Sequence, residues 1–462
     1  MIASLNPIKT SLLFQETKQL LKLAIPLASA QVAQALTGFC DTLMMGRLGA
    51  STLAAGGLAS ITLMTVISIV GGVLMAVSPL VAEAYGAGKK ARIEQLTQQG
   101  LILSLILTLP VMVMLSNIDS LLLIQGQEPT TVALADRYLD IMIWACFPAF
   151  GFMLLRGIVS SLDHARSILV IVMVGTVFNI LGNYLLAFGK LGLPRLEIAG
   201  LAIASVITFW GMFLALVVYM LKQKQLRVYR FFEQLNLIKL NIFGELIKLG
   251  APIGIFIALE SGLFGVVTYL MGTLGTNTLA AHQIVLQTVV ILFMIPLGIS
   301  YATTIRTGQW LGKTDILAIK RVGYISVLIG LIFSTVTAAF TMLSPQTIVG
   351  LYLDLNNPDN LAVMELASPL LAIGVFALIL DGMQKIIYGI LQGLQDTKMA
   401  MLLSIPAFWG VGLMTGYILC FHFNMGGVGL WLGQSIGLAI AAISFAIRLI
   451  VVINSKFTKI QT

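Results

Sequence analysis

The chain has 462 residues, of which 58% are hydrophobic and 10% charged, where an ordinary soluble domain carries about 25% charged residues. That balance excludes a soluble enzyme with a water-facing surface, a nucleic-acid binder and a secreted disulfide scaffold. The formal net charge of +8 comes from Lys and Arg gathered in particular loops, and signals topology rather than an acidic partner.

Crossing a bilayer takes roughly 20 apolar residues per helix. Runs of that length, separated by charged or Gly/Pro-containing breaks, fall at roughly 20–45, 53–81, 96–116, 132–155, 167–188, 198–221, 246–271, 279–304, 321–343, 363–388, 399–421 and 428–453. None shows the short alternating pattern of a barrel strand. The sequence therefore predicts an all-α polytopic membrane protein with twelve transmembrane helices. An even count puts both termini on one side. With that side taken as the inside, 23 of the 27 Lys and Arg residues lie inside and only Arg47, Arg137, Lys190 and Arg195 outside, so both termini are expected to be cytoplasmic. The N-terminus has no short apolar core with a cleavage site, and the first apolar segment reads as a retained helix. Cys40, Cys146 and Cys420 lie in or at the ends of apolar segments without CxxC spacing, and read as packing residues.

The chain repeats itself. Residues 20–57 align without a gap on 246–283, with 13 of 38 positions identical, including Pro26 with Pro252, Met45-Gly46-x-Leu48-Gly49 with Met271-Gly272-x-Leu274-Gly275, and Thr52-Leu53-Ala54-Ala55 with Thr278-Leu279-Ala280-Ala281. A weaker echo joins Gly157-Ile158 to Gly389-Ile390. Six helices per half insert the same way up, which predicts two six-helix lobes related by a pseudo-two-fold along the membrane normal, with a substrate cavity between them. The expected domains are 1–221, a basic cytoplasmic linker at 222–245, and 246–462. The matched prolines predict kinks in the first and seventh helices.

Most of the 19 acidic residues sit at predicted loops or helix ends, but Asp41, Glu260 and Asp381 do not. A charge at mid-bilayer costs about 2.5–3.5 kcal/mol on insertion scales, which makes each a candidate functional site. Glu260 aligns with Gln34 and Asp41 with Val267, so the fold itself requires no acid at either place. Asp41 and Glu260 have no base within helical reach inside their spans; Asp381 has Lys385 at i+4 as an ordinary ion-pair partner. Asn179 and Asn183 share a face of the fifth span, and read either as cation ligands beside a carboxylate or as interhelical glue. Gln34, Gln283 and Gln287 read similarly, and His282 as a capping or interhelical residue. Gly308-Gln-Trp-Leu-Gly312-Lys313-Thr314 has three residues between its glycines where a phosphate loop needs four, and no strand precedes it, so it signals no nucleotide site.

Several segments together resemble the multidrug and toxic compound extrusion (MATE) transporters, in the NorM-like branch. They are Gly38-Phe-Cys-Asp41-Thr-Leu-Met-Met-Gly46, Leu259-Glu260-Ser-Gly-Leu-Phe264, Leu274-Gly-x-x-x-Leu279-Ala-Ala-His282-Gln283, Met294-x-Pro296, Asp381-Gly-Met-Gln and Gly389-Ile-Leu-Gln-Gly393. The resemblance implies an antiporter in the cell inner membrane, exporting organic cations and drugs against inward flow of Na⁺ or H⁺. No cofactor beyond that ion and no enzymatic activity are expected, and the expected partners are small organic cations and the lipid bilayer, with no nucleic acid and a monomeric protein. It also implies an ion- and substrate-binding set of Asp41, Asn179, Asn183, Gln34, Glu260 and Asp381, with Glu260 and Asp381 as a candidate Na⁺ site. Ala377, where some relatives carry an aromatic, and Lys385 depart from the pattern around Asp381. Two other readings are a lipid-linked oligosaccharide flippase of the same superfamily, expected to line its cavity with bases, and an intramembrane aspartyl protease. The protease reading lacks the glycines such enzymes carry before the second acid, since Leu378-Ile379-Leu380 precede Asp381.

Overall fold

The computed structural model describes residues 7–124, 126–233, 238–353 and 360–461. Among them twelve helices are long and apolar enough to cross a membrane: α1 (Leu12–Leu48), α2 (Ala50–Gly86), α3 (Lys90–Leu115), α4 (Pro129–Ser161), α5 (Ala165–Phe188), α6 (Ile198–Lys222), α7 (Leu240–Thr273), α8 (Thr276–Gly312), α9 (Ile316–Leu343), α10 (Leu361–Gly393), α11 (Thr397–His422) and α12 (Gly426–Ser455). The protein is an all-α polytopic membrane protein. Helices satisfy their own backbone polar groups, which hydrocarbon demands of any segment that crosses it.

Several spans are less regular than their composition suggests. Helical structure in α2 is interrupted between Leu74 and Val77, and α4 passes through a single 3₁₀ turn at Ile143–Ala145. In α11 the backbone widens into π-helix at Pro406–Leu413 and again at Ile418–His422, starting at a proline that has no N–H to give an α-helical bond. The glycines of this span let α12 come very close: a Cβ on Gly433 would fall 2.1 Å from the Gly416 backbone nitrogen.

The repeat is visible in backbone geometry. Gly49 has φ 130° and ψ 161°, and its counterpart Gly275 has φ 113° and ψ 163°. Each donates to the glycine carbonyl three residues back, at 3.2 and 3.3 Å, and accepts from the leucine four residues on, at 3.0 and 3.1 Å. Met-Gly-x-Leu-Gly is thus the α1–α2 and α7–α8 turn, ending on a conformation that only glycine adopts without strain.

The chain forms two compact units: Ser29–Gly254, and the residues up to Ala28 together with Ile255 onward. The divisions fall inside α1 and α7, at positions the repeat aligns with each other and two residues after Pro26 and Pro252. Both helices are continuous through their proline. Close backbone contacts fix where these segments lie. A Cβ on Gly250 would stand 2.1 Å from the Val73 carbonyl oxygen and one on Gly254 2.7 Å from that of Ile69; a Cβ on Gly298 would stand 2.4 Å from the Ala28 Cα. Ion pairs anchor the same segments: Glu16 accepts from Arg306 at 2.8 Å through each of its two oxygens, and Glu245 from Arg92 at 2.5 Å.

Of the segment read as a linker, residues 234–237 lie outside those described. The part before them is packed down, with Leu226 and Phe231 buried. The Arg230 carbonyl accepts from Gln98 at 3.0 Å, and the Lys239 backbone N–H donates to Gln99 at 2.9 Å.

Replacing Gly49 or Gly275 by Ala forces a Cβ onto a positive-φ backbone and is expected to cost about 1–3 kcal/mol each. Thermal unfolding of detergent-purified protein should show a lowered midpoint for both. Gly46→Ala and Gly272→Ala serve as controls and should leave it unchanged, since their added Cβ atoms meet only Leu53 and Leu279 at ordinary contact distances of 3.9 and 3.8 Å.

Candidate functional site

In the Ser29–Gly254 unit, Asp41, Asn179 and Asn183 come together. Asn179 and Asn183, one turn apart on α5, are 2% and 0% exposed. Asn179 donates to the Ser205 hydroxyl of α6 at 3.1 Å. Asn183 donates to the Asn179 side-chain oxygen at 2.9 Å and to an Asp41 carboxylate oxygen at 2.5 Å. Both N–H groups of Asn183 are thus committed, and its buried oxygen has no hydrogen-bond partner among the described residues. One turn earlier Thr37 donates to Thr176 at 2.9 Å, a second polar tie between α1 and α5. The result is a relay of neutral amides ending on an intramembrane carboxylate. It offers an anionic oxygen and an amide oxygen, both hard ligands suited to a small cation.

Gln34 is not part of that cluster. It lies two turns before Asp41, where Arg156 of α4 donates to it at 3.4 Å and to Gln31 at 2.8 Å.

In the other unit Glu260 pairs with Lys385 of α10. The side chains are 14% and 9% exposed, and the ammonium also sits over the rings of Phe256 and Phe293, at 4.8 and 5.9 Å from their centroids. The base that sequence offered to Asp381 on its own helix is therefore held by Glu260. Asp381, one turn before Lys385 and buried, lies within electrostatic reach of both. One Asp381 oxygen, one Glu260 oxygen, both polar atoms of Gln384 and the Tyr388 hydroxyl are buried without a hydrogen-bond partner among the described residues. Positions 381, 384 and 388 share a helix face, so α10 carries a polar stripe into an otherwise apolar interior.

The α10 backbone is located by α8. Ser300 donates to the Lys385 carbonyl at 2.7 Å and Thr304 to the Gly389 carbonyl at 3.0 Å. A Cβ on Gly389 would stand 2.6 Å from the Ser300 hydroxyl, and one on Gly393 2.6 Å from Thr307. The Gly389…Gly393 spacing is thus a close-approach face. Behind Glu260, Trp409 donates to the Leu259 carbonyl at 3.1 Å, and Phe256 stacks on Tyr388 with centroids 4.2 Å apart. His282 is an interhelical residue, bonded to Thr268 at 2.9 Å and accepting from Trp431 at 3.2 Å. Among the described residues no group of three or more His, Cys, Asp or Glu is gathered as a metal site.

The partners that sequence reasoning missed are Ser205, Arg156 and the cross-helix pairing of Lys385. A lone serine in an apolar helix carries no signal. Lys385 did carry one, as a base in a predicted span, but only packing reveals which acid it meets.

Asn183→Ala removes two hydrogen bonds and leaves Asn179 and Asp41 short of a donor, at a cost of about 1–3 kcal/mol. The thermal midpoint should fall, and Asp41→Asn combined with Asn183→Ala should cost less than the sum of the two single changes.

The MatE family model matches residues 26–185 and 252–418. A probable multidrug resistance protein NorM of Synechocystis sp. is 48% identical over 433 residues, covering 94% of each chain. The multidrug resistance protein NorM of Burkholderia vietnamiensis is 38% identical over 428 residues, 92% of each. Among solved structures, a MOP superfamily transporter from Pyrococcus furiosus superposes with TM-score 0.88 at 22% identity over 96% of each chain. A eukaryotic MATE transporter gives 0.85 at 21%, over 95% of this chain and 96% of its own. At such identities the superpositions establish the fold. The family model spans both halves of the repeat and the bacterial relatives match along almost the whole length, so the chain belongs to the MatE family of membrane transporters.

Proposed function

We propose that the protein is an antiporter that exports organic cations and other toxic compounds across the cytoplasmic membrane, driven by inward movement of Na⁺ or H⁺, with both termini cytoplasmic. The observation that carries this reading is Asp41. It is a carboxylate within a spanning helix, oriented by the neutral Asn183–Asn179–Ser205 relay, and among the described residues no Lys or Arg forms an ion pair with it. A negative charge held by neutral donors in a low-dielectric setting attracts a cation, and the same oxygen can hold a drug cation or the driving ion but not both. Exchange follows if the driving ion binds Asp41 better in the outward-open state and the drug binds better in the inward-open state.

Similarity to multidrug resistance proteins NorM supports multidrug export, and 23 of 27 basic residues on one predicted side support the orientation. A flippase for lipid-linked oligosaccharides would meet pyrophosphate with basic side chains, whereas here Lys385 and Arg306 are committed to Glu260 and Glu16 and Arg156 donates to Gln31 and Gln34.

Ethidium efflux from proteoliposomes holding the purified protein tests the function, under an imposed Na⁺ gradient, an imposed pH gradient, or neither. The reading expects efflux under one gradient and little without it. Folded protein giving no gradient-dependent efflux would contradict it.

A further inference from the structure

The antiport reading leaves Lys385 without a role, and its placement is unusual. An ammonium 9% exposed in a spanning helix is costly unless an acid and polarisable neighbours compensate it. Here Glu260 supplies the acid and the faces of Phe256 and Phe293 supply cation–π contacts. The Lys385 carbonyl is fixed by Ser300, so the side chain is delivered to Glu260 from a rigid backbone. In the other half of the repeat, position 34 is Gln rather than Glu, and Arg156 of the fourth span donates to it at 3.4 Å and to Gln31 at 2.8 Å. A basic side chain thus lies beside this position in each half, next to a glutamine at 34 and paired with a carboxylate at 260.

We propose that the Lys385 ammonium is a tethered counter-ion occupying, at Glu260, the place a free monovalent cation would take, so that Glu260 does not bind Na⁺ in this protein. This rests on the antiport reading for its consequence, which is that any Na⁺ coupling must run through other acids. It stands on geometry for its substance. A carboxylate neutralised by a covalently delivered ammonium gives a millimolar free ion little to gain, because the tethered group is present at high effective concentration and has already displaced the water. Removing the ammonium leaves Glu260 and Asp381, beside the polar atoms of Gln384 and Tyr388, with no other Lys or Arg ion-paired to either among the described residues, a setting in which Na⁺ binding becomes favourable.

Binding of radiolabelled Na⁺ to the purified full-length protein tests this without requiring transport, so it is independent of whether ethidium efflux is observed. Lys385→Gln is expected to bind Na⁺ about tenfold or more tightly than wild type, Lys385→Arg to show no such gain because it keeps a tethered cation, and Glu260→Gln with Lys385→Gln to lose the gain. In the wild-type background Glu260→Gln is expected to leave Na⁺ binding unchanged, and Glu260→Asp, which keeps the ion pair and so the fold, is expected to do the same if the neutral variants do not fold. Loss of Na⁺ binding in Glu260→Gln alone would overturn the proposal. So would a monodisperse Lys385→Gln protein with wild-type Na⁺ binding.

Discussion

A polar group inside hydrocarbon must find its partner within the protein, and that constraint orders this structure. The intramembrane and near-membrane acids meet it to different degrees, and Asp381 keeps one buried oxygen without a partner among the described residues. Glu16 takes both oxygens to Arg306, and Glu260 takes Lys385. Asp41 is met only by an amide, itself braced by a second amide and a serine. Breaking a buried ion pair by removing one partner costs about 3–5 kcal/mol, so the first two are stable fixtures. A carboxylate met by a neutral donor is not already committed to a base of the protein's own, which is what a cation-exchange site needs.

The repeat separates what the fold requires from what the chemistry requires. The Gly49 and Gly275 turns have nearly the same dihedral angles and hydrogen bonds, and the two compact units divide at equivalent points in α1 and α7. Against that shared scaffold the polar residues diverge. Gln34 faces Glu260 in the alignment, and Asp41 faces Val267. One unit therefore carries a lone carboxylate with an amide relay, the other a charged cluster with its own cation. Two different electrostatic sites have been placed on one duplicated helix arrangement.

Sequence made the membrane class, the twelve spans and the duplication legible, because apolar length and a gapless match to a second segment are properties of the chain itself. It also singled out Asp41, Glu260 and Asp381, since an acid in an apolar run is conspicuous wherever the helix ends up. Partners were harder. The Asn179–Asn183 spacing showed a shared face but not that Ser205 lies behind it. The Asp381–Lys385 spacing suggested an intrahelical pair, and the structure instead sends Lys385 across to Glu260, because a long side chain aimed at a neighbouring helix follows packing rather than i+4 proximity. The interruptions of α2 and α11 were hidden for a related reason: hydropathy records length and says little about local winding. The basic 222–245 segment read as a linker, and its burial of Leu226 and Phe231 against its unit was masked by the charges around them.

The central claim is that the carboxylate of Asp41 holds the drug cation and the driving ion in alternation. The most direct measurement is equilibrium binding of ethidium to the purified protein, followed by fluorescence while Na⁺ is raised or pH lowered, for wild type and for Asp41→Asn. The account predicts that the driving ion displaces ethidium from wild type, and that Asp41→Asn binds ethidium about tenfold or more weakly with little response to either ion. Wild-type affinity and wild-type ion sensitivity in folded Asp41→Asn protein would contradict it.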